Sequence, residues 1–320
     1  MWTFFHEIYN DLQAHYQTEL YKRKIYHTPL LYGRLNRWAA RRQLRAMLRR
    51  NDVCFFEWAS ELLMRASHQP KECRIVTRLH SFELYEWAPK INWEVVDKII
   101  LVSRAMQRQF MTLYPAYAAK TAVVYNGRSL DTFAPLFPRN FSFRLGMLCH
   151  IKPIKRIYEV VLALYELRQR GYDATLSIAG EAQSAGDRRY QAAIYRLVDK
   201  LKLREVVTFD GYVNDPPAWL RNIDIFISNS FWEGQQVALL EAMASGCYCL
   251  SHHWAGAEEM LPPENLYITE AELLEKIIAY YKMLPVEKQN AQKKLRANAC
   301  EKFNIERTKA EIRQIIDALV

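Results

Sequence analysis

The sequence predicts an α/β protein built on two parallel sheets. Over 320 residues, short β-branched and aromatic runs alternate with longer segments of helical spacing, the pattern of strands joined by crossover helices. The alternation breaks once, over residues 120–138, where a strand-like stretch runs into Asn126-Gly127 and then two prolines. Composition is ordinary for a globular chain, 50% hydrophobic and 25% charged, which excludes fibrous, collagen-like and disordered classes.

The first half opens with a helix at residues 5–19 and a strand at 20–26. A helix follows at 30–49, then a strand at 53–57 and a helix at 59–67. Strands at 74–79 and 98–102 and a helix at 104–113 complete it. The second half repeats the scheme with strands at 144–149, 174–179, 206–209, 223–228 and 247–251. Its helices fall at 156–170, 188–201, 217–221 and 236–244, with Gly246 placed to end the last of these. Residues 271–301 read as helical and polar. A last amphipathic helix carries Ile305, Ile312, Ile315, Ile316 and Leu319 along one side. The predicted domains are therefore 1–137 and 138–304, with 305–320 as a separate closing helix.

Several chemistries drop out. Only Gly33 precedes residue 127, so the first half has no glycines for a dinucleotide-binding GxGxxG turn. The chain has neither GxxxxGK[ST] nor HExxH. The six cysteines form no CxxC pair, and most lie in apolar strand-like runs. Cys247 and Cys249 share one side of a strand, so buried thiols are expected rather than disulfides or zinc. His252-His253 lacks Asp or Cys partners at ligand spacing, so no metal is expected. The start has no basic region followed by a long apolar stretch, and no run of about 18 apolar residues occurs. A cytoplasmic chain is expected, with peripheral attachment to the inner face of the membrane as an option.

The most informative segment is residues 228–246. A strand ends in a polar loop, Gly234 follows Glu233, and an apolar-periodic helix begins. Ligands of parallel α/β sheets sit at the carboxyl ends of strands. The free N–H groups of the helix start, about Gln235–Val237, suit a diphosphate. Glu233 and Glu241, eight apart around that start, suit hydroxyls on either side of it: a sugar on one, a ribose on the other.

Glu233-Gly234 and Glu241-Ala242-Met243-Ala244-Ser245-Gly246 resemble the E-x7-E signature of retaining GT-B glycosyltransferases, most closely glycosyltransferase family 4. Other matches fall in the family's order. Residues 97–103 resemble its strand running into "VS", and Val124-Tyr125-Asn126-Gly127-Arg128-Ser129-Leu130-Asp131-Thr132-Phe133 resembles its "PNGVDxxxF" linker. Ile178-Ala179-Gly180-Glu181, Phe209-Asp210-Gly211-Tyr212-Val213 and residues 224–230 resemble its "GxG", "GxV" and "ADxxVxPS" segments. The resemblance implies two Rossmann-like domains with parallel sheets facing across a cleft, and a C-terminal helix returning to the N-terminal domain. It also implies a metal-independent retaining glycosyltransferase without a cofactor. Its donor would be a UDP- or GDP-sugar and its acceptor a glycan or a lipid-linked molecule of surface polysaccharide assembly.

Residue by residue, the resemblance implies that Glu233 holds donor-sugar hydroxyls and Glu241 the ribose, with Gly234 and the amides of Gln235, Gln236 and Val237 at the distal phosphate. Gly180, Tyr212 and Val213 would line the base, and Lys155 would meet the diphosphate. His80, closing the strand at 74–79, matches the family's active-site histidine; otherwise it is simply a histidine at the start of a loop. Two departures stand out. His150 replaces the family's arginine, so its charge would depend on pH. Gln235-Gln236 replace an aromatic and a second glycine, which points Gln235 or Gln236 at the donor sugar. Front-face departure and attack, with a phosphate oxygen as base, is implied because no close pair of carboxylates of the glycosidase kind is evident. The family's opening strand and glycine-rich loop are missing or reduced here.

Charge is uneven. Residues 1–140 hold 21 Lys/Arg against 12 Asp/Glu, and so carry the whole net charge of +9. Arg37, Arg41, Arg42 and Arg45 belong to an arginine-rich helix interleaved with Leu31, Leu35, Trp38 and Leu44. Such a helix suits an anionic membrane surface or a lipid-linked diphosphate, and equally a solvated helix packed on a sheet. No helix-turn-helix, RNP or zinc-finger pattern supports nucleic acid. Alternative readings are a degenerate GT-B domain acting as a non-catalytic binding subunit, and a GT-B epimerase or phosphorylase.

Overall fold

The computed structural model describes residues 5–27, 32–135, 137 and 139–320. It divides into two compact units, residues 1–127 with 305–320, and residues 128–304. The division falls after Gly127, ten residues before the expected boundary, and the closing helix belongs with the first unit. Leu136 and Pro138, at the expected boundary, lie outside the described residues.

In the first unit the described elements are α1 (Phe5–His15), α2 (Tyr32–Arg50), β1 (Val53–Phe56), α3 (Glu61–Ser67), β2 (Arg74–Leu79), α4 (Glu83–Glu86), β3 (Lys98–Leu101), α5 (Arg104–Leu113) and β4 (Thr121–Val123). The strands form a parallel sheet in the order β1-β2-β3-β4. Alternation along the strands feeds two cores. Ile75, Leu79, Ile99 and Leu101 pack with Leu44 and Leu48 of α2, Leu63 of α3 and Phe110 of α5. Val76, Ile100 and Val124 pack with Ile8 and Leu12 of α1 and with Ile305, Ile312 and Ile316 of the closing helix, which we number α13 (Ile305–Asp317) after the helices of the second unit. Burying a side chain such as Ile312 contributes about 1.5–3 kcal/mol. Polar contacts fix α13 in register: Tyr16 donates to Asp317 at 2.6 Å and Thr308 to the carbonyl of Tyr125 at 2.9 Å.

Residues 20–26 form no strand. Their main chain is held by side-chain amides of α2 instead: Tyr26 N donates to Asn36 Oδ1, Asn36 Nδ2 to the carbonyl of Tyr26, and Lys24 N to Gln43 Oε1. Leu30 and Leu31, expected at the start of α2, lie outside the described residues.

The second unit contains β5 (Arg144–Leu148), α6 (Ile157–Gln169), β6 (Thr175–Ala179), α7 (Ala185–Lys200), β7 (Val207–Gly211), α8 (Pro216–Leu220), β8 (Ile225–Ser228), α9 (Val237–Ala244), β9 (Tyr248–His252), α10 (Ala257–Met260), β10 (Leu266–Tyr267), α11 (Glu270–Lys282) and α12 (Pro285–Lys302). Its parallel sheet runs β10-β9-β8-β5-β6-β7, so the chain reverses its direction of travel across the sheet between β5 and β8. Ligands of open α/β sheets gather at such a reversal. The polar stretch expected at 271–301 is two helices, because Pro285 can begin a helix but not continue one. Gly246 ends α9 at φ +76°, where a Cβ would sit 2.8 Å from Pro135.

Candidate functional site

Three strand ends meet first. Beyond β5, Cys149 N donates to the carbonyl of Ala179, and Gly180 N donates to that of Gly211 at 2.7 Å. Gly180 holds φ +129°, and a Cβ there would stand 1.9 Å from the Cys149 oxygen, so this crossing admits glycine alone. Tyr212, next along from β7, is exposed and Val213 half-buried. His150 is exposed, 3.5 Å from Gln183. Partial burial first, then Lys152 and Lys155, lower its pKa.

The loop after β5 is stitched to the loop after β8. Phe231 N donates to the carbonyl of Ile154, and Asn229 Nδ2 to that of Arg156 at 3.0 Å, while Tyr267 of β10 holds Asn229 from the other side. This brings Lys155 onto Glu233, with which it forms a direct ion pair. Ser230 Oγ donates to the same carboxylate at 2.7 Å. Gly234, Gln235 and Gln236 are buried, and α9 starts immediately after them; its N-cap residue, Gln236, makes no side-chain capping hydrogen bond. Gln236 accepts from Ser228 Oγ, so its amide oxygen is committed to β8 rather than directed at a sugar.

Glu241 lies on α9, 7% exposed, and Arg128 Nε donates to its Oε1 at 3.0 Å. Burial raises the Glu241 pKa and the Arg128 guanidinium pulls it back. Arg128 is anchored in turn: its N–H donates to the carbonyl of Phe303 at 3.0 Å, and its guanidinium faces the ring of Phe133. Among the described residues, no group of three His, Cys, Asp or Glu side chains converges as a metal site.

In the first unit, His80 follows β2 directly. Its Nε2 is 3.5 Å from Glu57 Oε1, which also accepts from Arg78 Nη1 at 2.8 Å. Arg78 is fully buried and donates as well to Asn126. Trp58 lies against the imidazole, ring centroids 4.3 Å apart, and Phe82 continues the aromatic face. Burial lowers the His80 pKa. Glu83 Oε2 accepts from His80 N at 3.0 Å, and burial pushes the Glu83 carboxyl up to about 8. On α2, Arg37, Arg41, Arg42 and Arg45 are all exposed, but Arg45 and Arg49 share Glu72. Trp38 does not pack on the sheet; it is 58% exposed with Arg42 over its ring.

Residues 142–282 match the family model described as "Glycosyl transferases group 1". That stretch, a little under half of the chain, is similar to a Glycosyl transferases group 1 domain. A curated relative, the UDP-Gal:alpha-D-GlcNAc-diphosphoundecaprenol alpha-1,3-galactosyltransferase of Escherichia coli, is 30% identical over 144 residues, 41% of this chain. That stretch spans only 36% of the relative's length. HepE of Anabaena, solved with UDP and glucose, superposes with a TM-score of 0.78 at 19% identity, covering 95% of this chain and 87% of its own. TarM of S. aureus, in a structure with fondaparinux, alpha-GlcNAc-glycerol and UDP, superposes with a TM-score of 0.67 at 15% identity, over 80% of this chain and 52% of its own. The two parallel sheets with their helices thus match GT-B glycosyltransferase structures.

Within residues 142–282 the structure brings Lys155, Glu233, Gly234, Gln235 and Gln236 to one place at the reversal of the sheet. Glu241 lies along α9 from them, and Gly180 at the neighbouring strand ends. Sequence reasoning missed Arg128 and Ser230, and in the first unit Glu57, Trp58, Arg78, Glu83 and Asn126. Arg128 had a signal: it occupies the apolar position of the "NGV" pattern. Arg78 had one too, as a charge inside the apolar run Arg74–Leu79.

Proposed function

We propose that this chain is a retaining glycosyltransferase that moves a sugar from a UDP-sugar to a glycan or lipid-linked acceptor, in surface polysaccharide assembly. The observation that carries the reading is the grouping of Lys155 and Glu233 beside the start of α9, with Glu241 farther along that helix. A diphosphate takes the N–H groups of the helix start and the ammonium of Lys155. Glu233 turns to sugar hydroxyls and Glu241 to the ribose. The relative's UDP-Gal donor, and the UDP of HepE and TarM, support uracil as the base, and the relative's diphosphoundecaprenol-linked acceptor supports a lipid-linked one.

In this reading the anomeric C–O bond breaks with its electron pair going to the departing diphosphate, where Lys155 and the helix amides hold the charge without a metal. The acceptor oxygen bonds to the same face, and its proton passes to the leaving phosphate oxygen. His80, set by Glu57 and Trp58, serves the acceptor side. The exposed face of α2, with Trp38 among arginines, rests on anionic lipid at the inner face of the membrane; no described helix is long and apolar enough to cross a membrane.

The test is a thermal-shift panel of UDP, GDP, ADP, CMP and TDP and their sugars, followed by product analysis with the stabilising donor. UDP and one UDP-sugar raise the melting temperature and the product keeps the anomeric configuration. Indifference to every nucleotide defeats the reading.

A further inference from the structure

Glu241 is an isolated buried acid whose chemical state rests on one neighbour. The elements packed on α9 contribute little charge towards it. β8 has no ionisable side chain. On β9, Cys249 is buried, Tyr248 stacks on Tyr280 and His252 is influenced by Arg156. On α12, Arg296 donates to the carbonyls of Phe133 and Ala244, and Lys293 lies over Phe137. The charge that acts on Glu241 is Arg128, at 3.0 Å.

We propose that Arg128 is a positioning residue for nucleotide binding: its guanidinium keeps Glu241 ionised and orients it, so that the carboxylate accepts hydrogen bonds from the two ribose hydroxyls. The inference rests on the donor-site reading above and adds a residue to it. Both oxygens of an ionised carboxylate accept, so one takes the Arg128 N–H while the remaining lone pairs serve the ribose. A protonated carboxyl gives up one of those acceptors. Burial raises the Glu241 pKa, and Arg128 opposes that rise. Removing the positive charge therefore moves the protonation of Glu241 upward towards the neutral range. The anchoring of Arg128 through Phe303 and Phe133 fixes the guanidinium independently of any ligand.

Arg128→Gln removes the charge and keeps an amide donor; Arg128→Lys restores the charge. Two readouts separate this inference from the donor-site reading. The first is UDP affinity by calorimetry at about pH 6 and about pH 8.5, where one pKa unit of displacement corresponds to about tenfold. The wild-type and Arg128→Lys proteins bind alike at both values, while Arg128→Gln binds about tenfold more weakly at the lower one. A flat profile for Arg128→Gln, or tighter binding, overturns the proposal. The second readout is the Glu241 carboxyl 13C titration, assigned by its loss in Glu241→Gln and needing no nucleotide. Its midpoint rises in Arg128→Gln and returns in Arg128→Lys; an unmoved midpoint overturns the proposal. If the wild-type protein binds no UDP, the donor-site reading fails, and the carboxyl titration alone decides the role of Arg128.

Discussion

Lys155 and Glu233 are joined directly as an ion pair, with side chains 16% and 14% exposed and Ser230 donating to the same carboxylate. The short turn ending in Lys155 and the loop after β8 are tied by main-chain and amide bonds, so the pair is held by the fold and not by chance approach of two long side chains. A partly buried pair loses more when one partner is removed than when the pair is exchanged for other partners. In the proposed donor site the cation of this pair goes to the diphosphate and the carboxylate to the sugar.

Lys155→Ala removes the charge that meets the diphosphate. Charge-assisted hydrogen bonds of this kind contribute about 1.5–3 kcal/mol. UDP affinity measured by calorimetry falls roughly tenfold to a hundredfold, while Lys155→Arg retains part of it. Equal affinities for wild type and Lys155→Ala contradict the assignment.

Gly180→Ala tests the crossing of strand ends. The new methyl meets the Cys149 carbonyl at 1.9 Å in a backbone conformation that L residues rarely adopt. Forcing that strain costs on the order of 2–4 kcal/mol and shifts the loop carrying His150. A lower unfolding midpoint in urea, with UDP binding weakened in parallel, is the expected result. A variant as stable as wild type shows that the loop has room to move.

How much of this was legible in sequence depends on what holds each segment. Around α9 the signals are local: an acid before a glycine, an apolar helix and a second acid eight residues on, so Glu233 and Glu241 could be found. Gly180 could be placed at a turn but not explained, because its reason is the Cys149 oxygen, 31 positions away in the chain. Arg128 meets Glu241 only after the chain has passed through most of the second unit. Residues 20–26 misled because Leu20, Tyr21, Ile25 and Tyr26, bracketing Lys22-Arg23-Lys24, read as a short strand; the deciding groups, Asn36 and Gln43, sit on the next helix. For α2 the sequence left a membrane face and a sheet-packed face equally open, since helical spacing alone does not show that Ala39 and Ala40, not the Trp38 indole, face the core.

The pH dependence of stability should carry the mark of Glu83. Burial raises this carboxyl from 4.5 to about 8, so the folded protein binds a proton that the unfolded chain has released. The unfolded-state pKa is the lower one. Stability from this group is therefore whole below about pH 4.5, falls as pH rises towards 8 and levels off beyond it. The loss is on the order of 5 kcal/mol across that window. Urea midpoints taken between pH 5 and 9 decline in wild type and stay flatter in Glu83→Gln. Parallel profiles for the two proteins contradict an uncharged Glu83.

Flotation with liposomes tests the α2 face. Recovery in the lipid fraction rises with the share of anionic lipid and drops when Arg37, Arg41 and Arg42 are replaced by Ala, or Trp38 by Ser, and it weakens with added salt. Arg45 contributes less, because Glu72 already engages it. Flotation that ignores both the arginines and the lipid charge removes the membrane from the account.

Whether Glu233, the start of α9 and Glu241 form a nucleotide-sugar site is decided most directly by comparing UDP affinity and turnover of a UDP-sugar in Glu241→Ala and Glu233→Ala. Glu241→Ala is expected chiefly to weaken UDP binding, whereas Glu233→Ala leaves UDP binding within about tenfold and chiefly slows transfer. Small and equal effects in both variants, in proteins that melt like wild type, would contradict such a site.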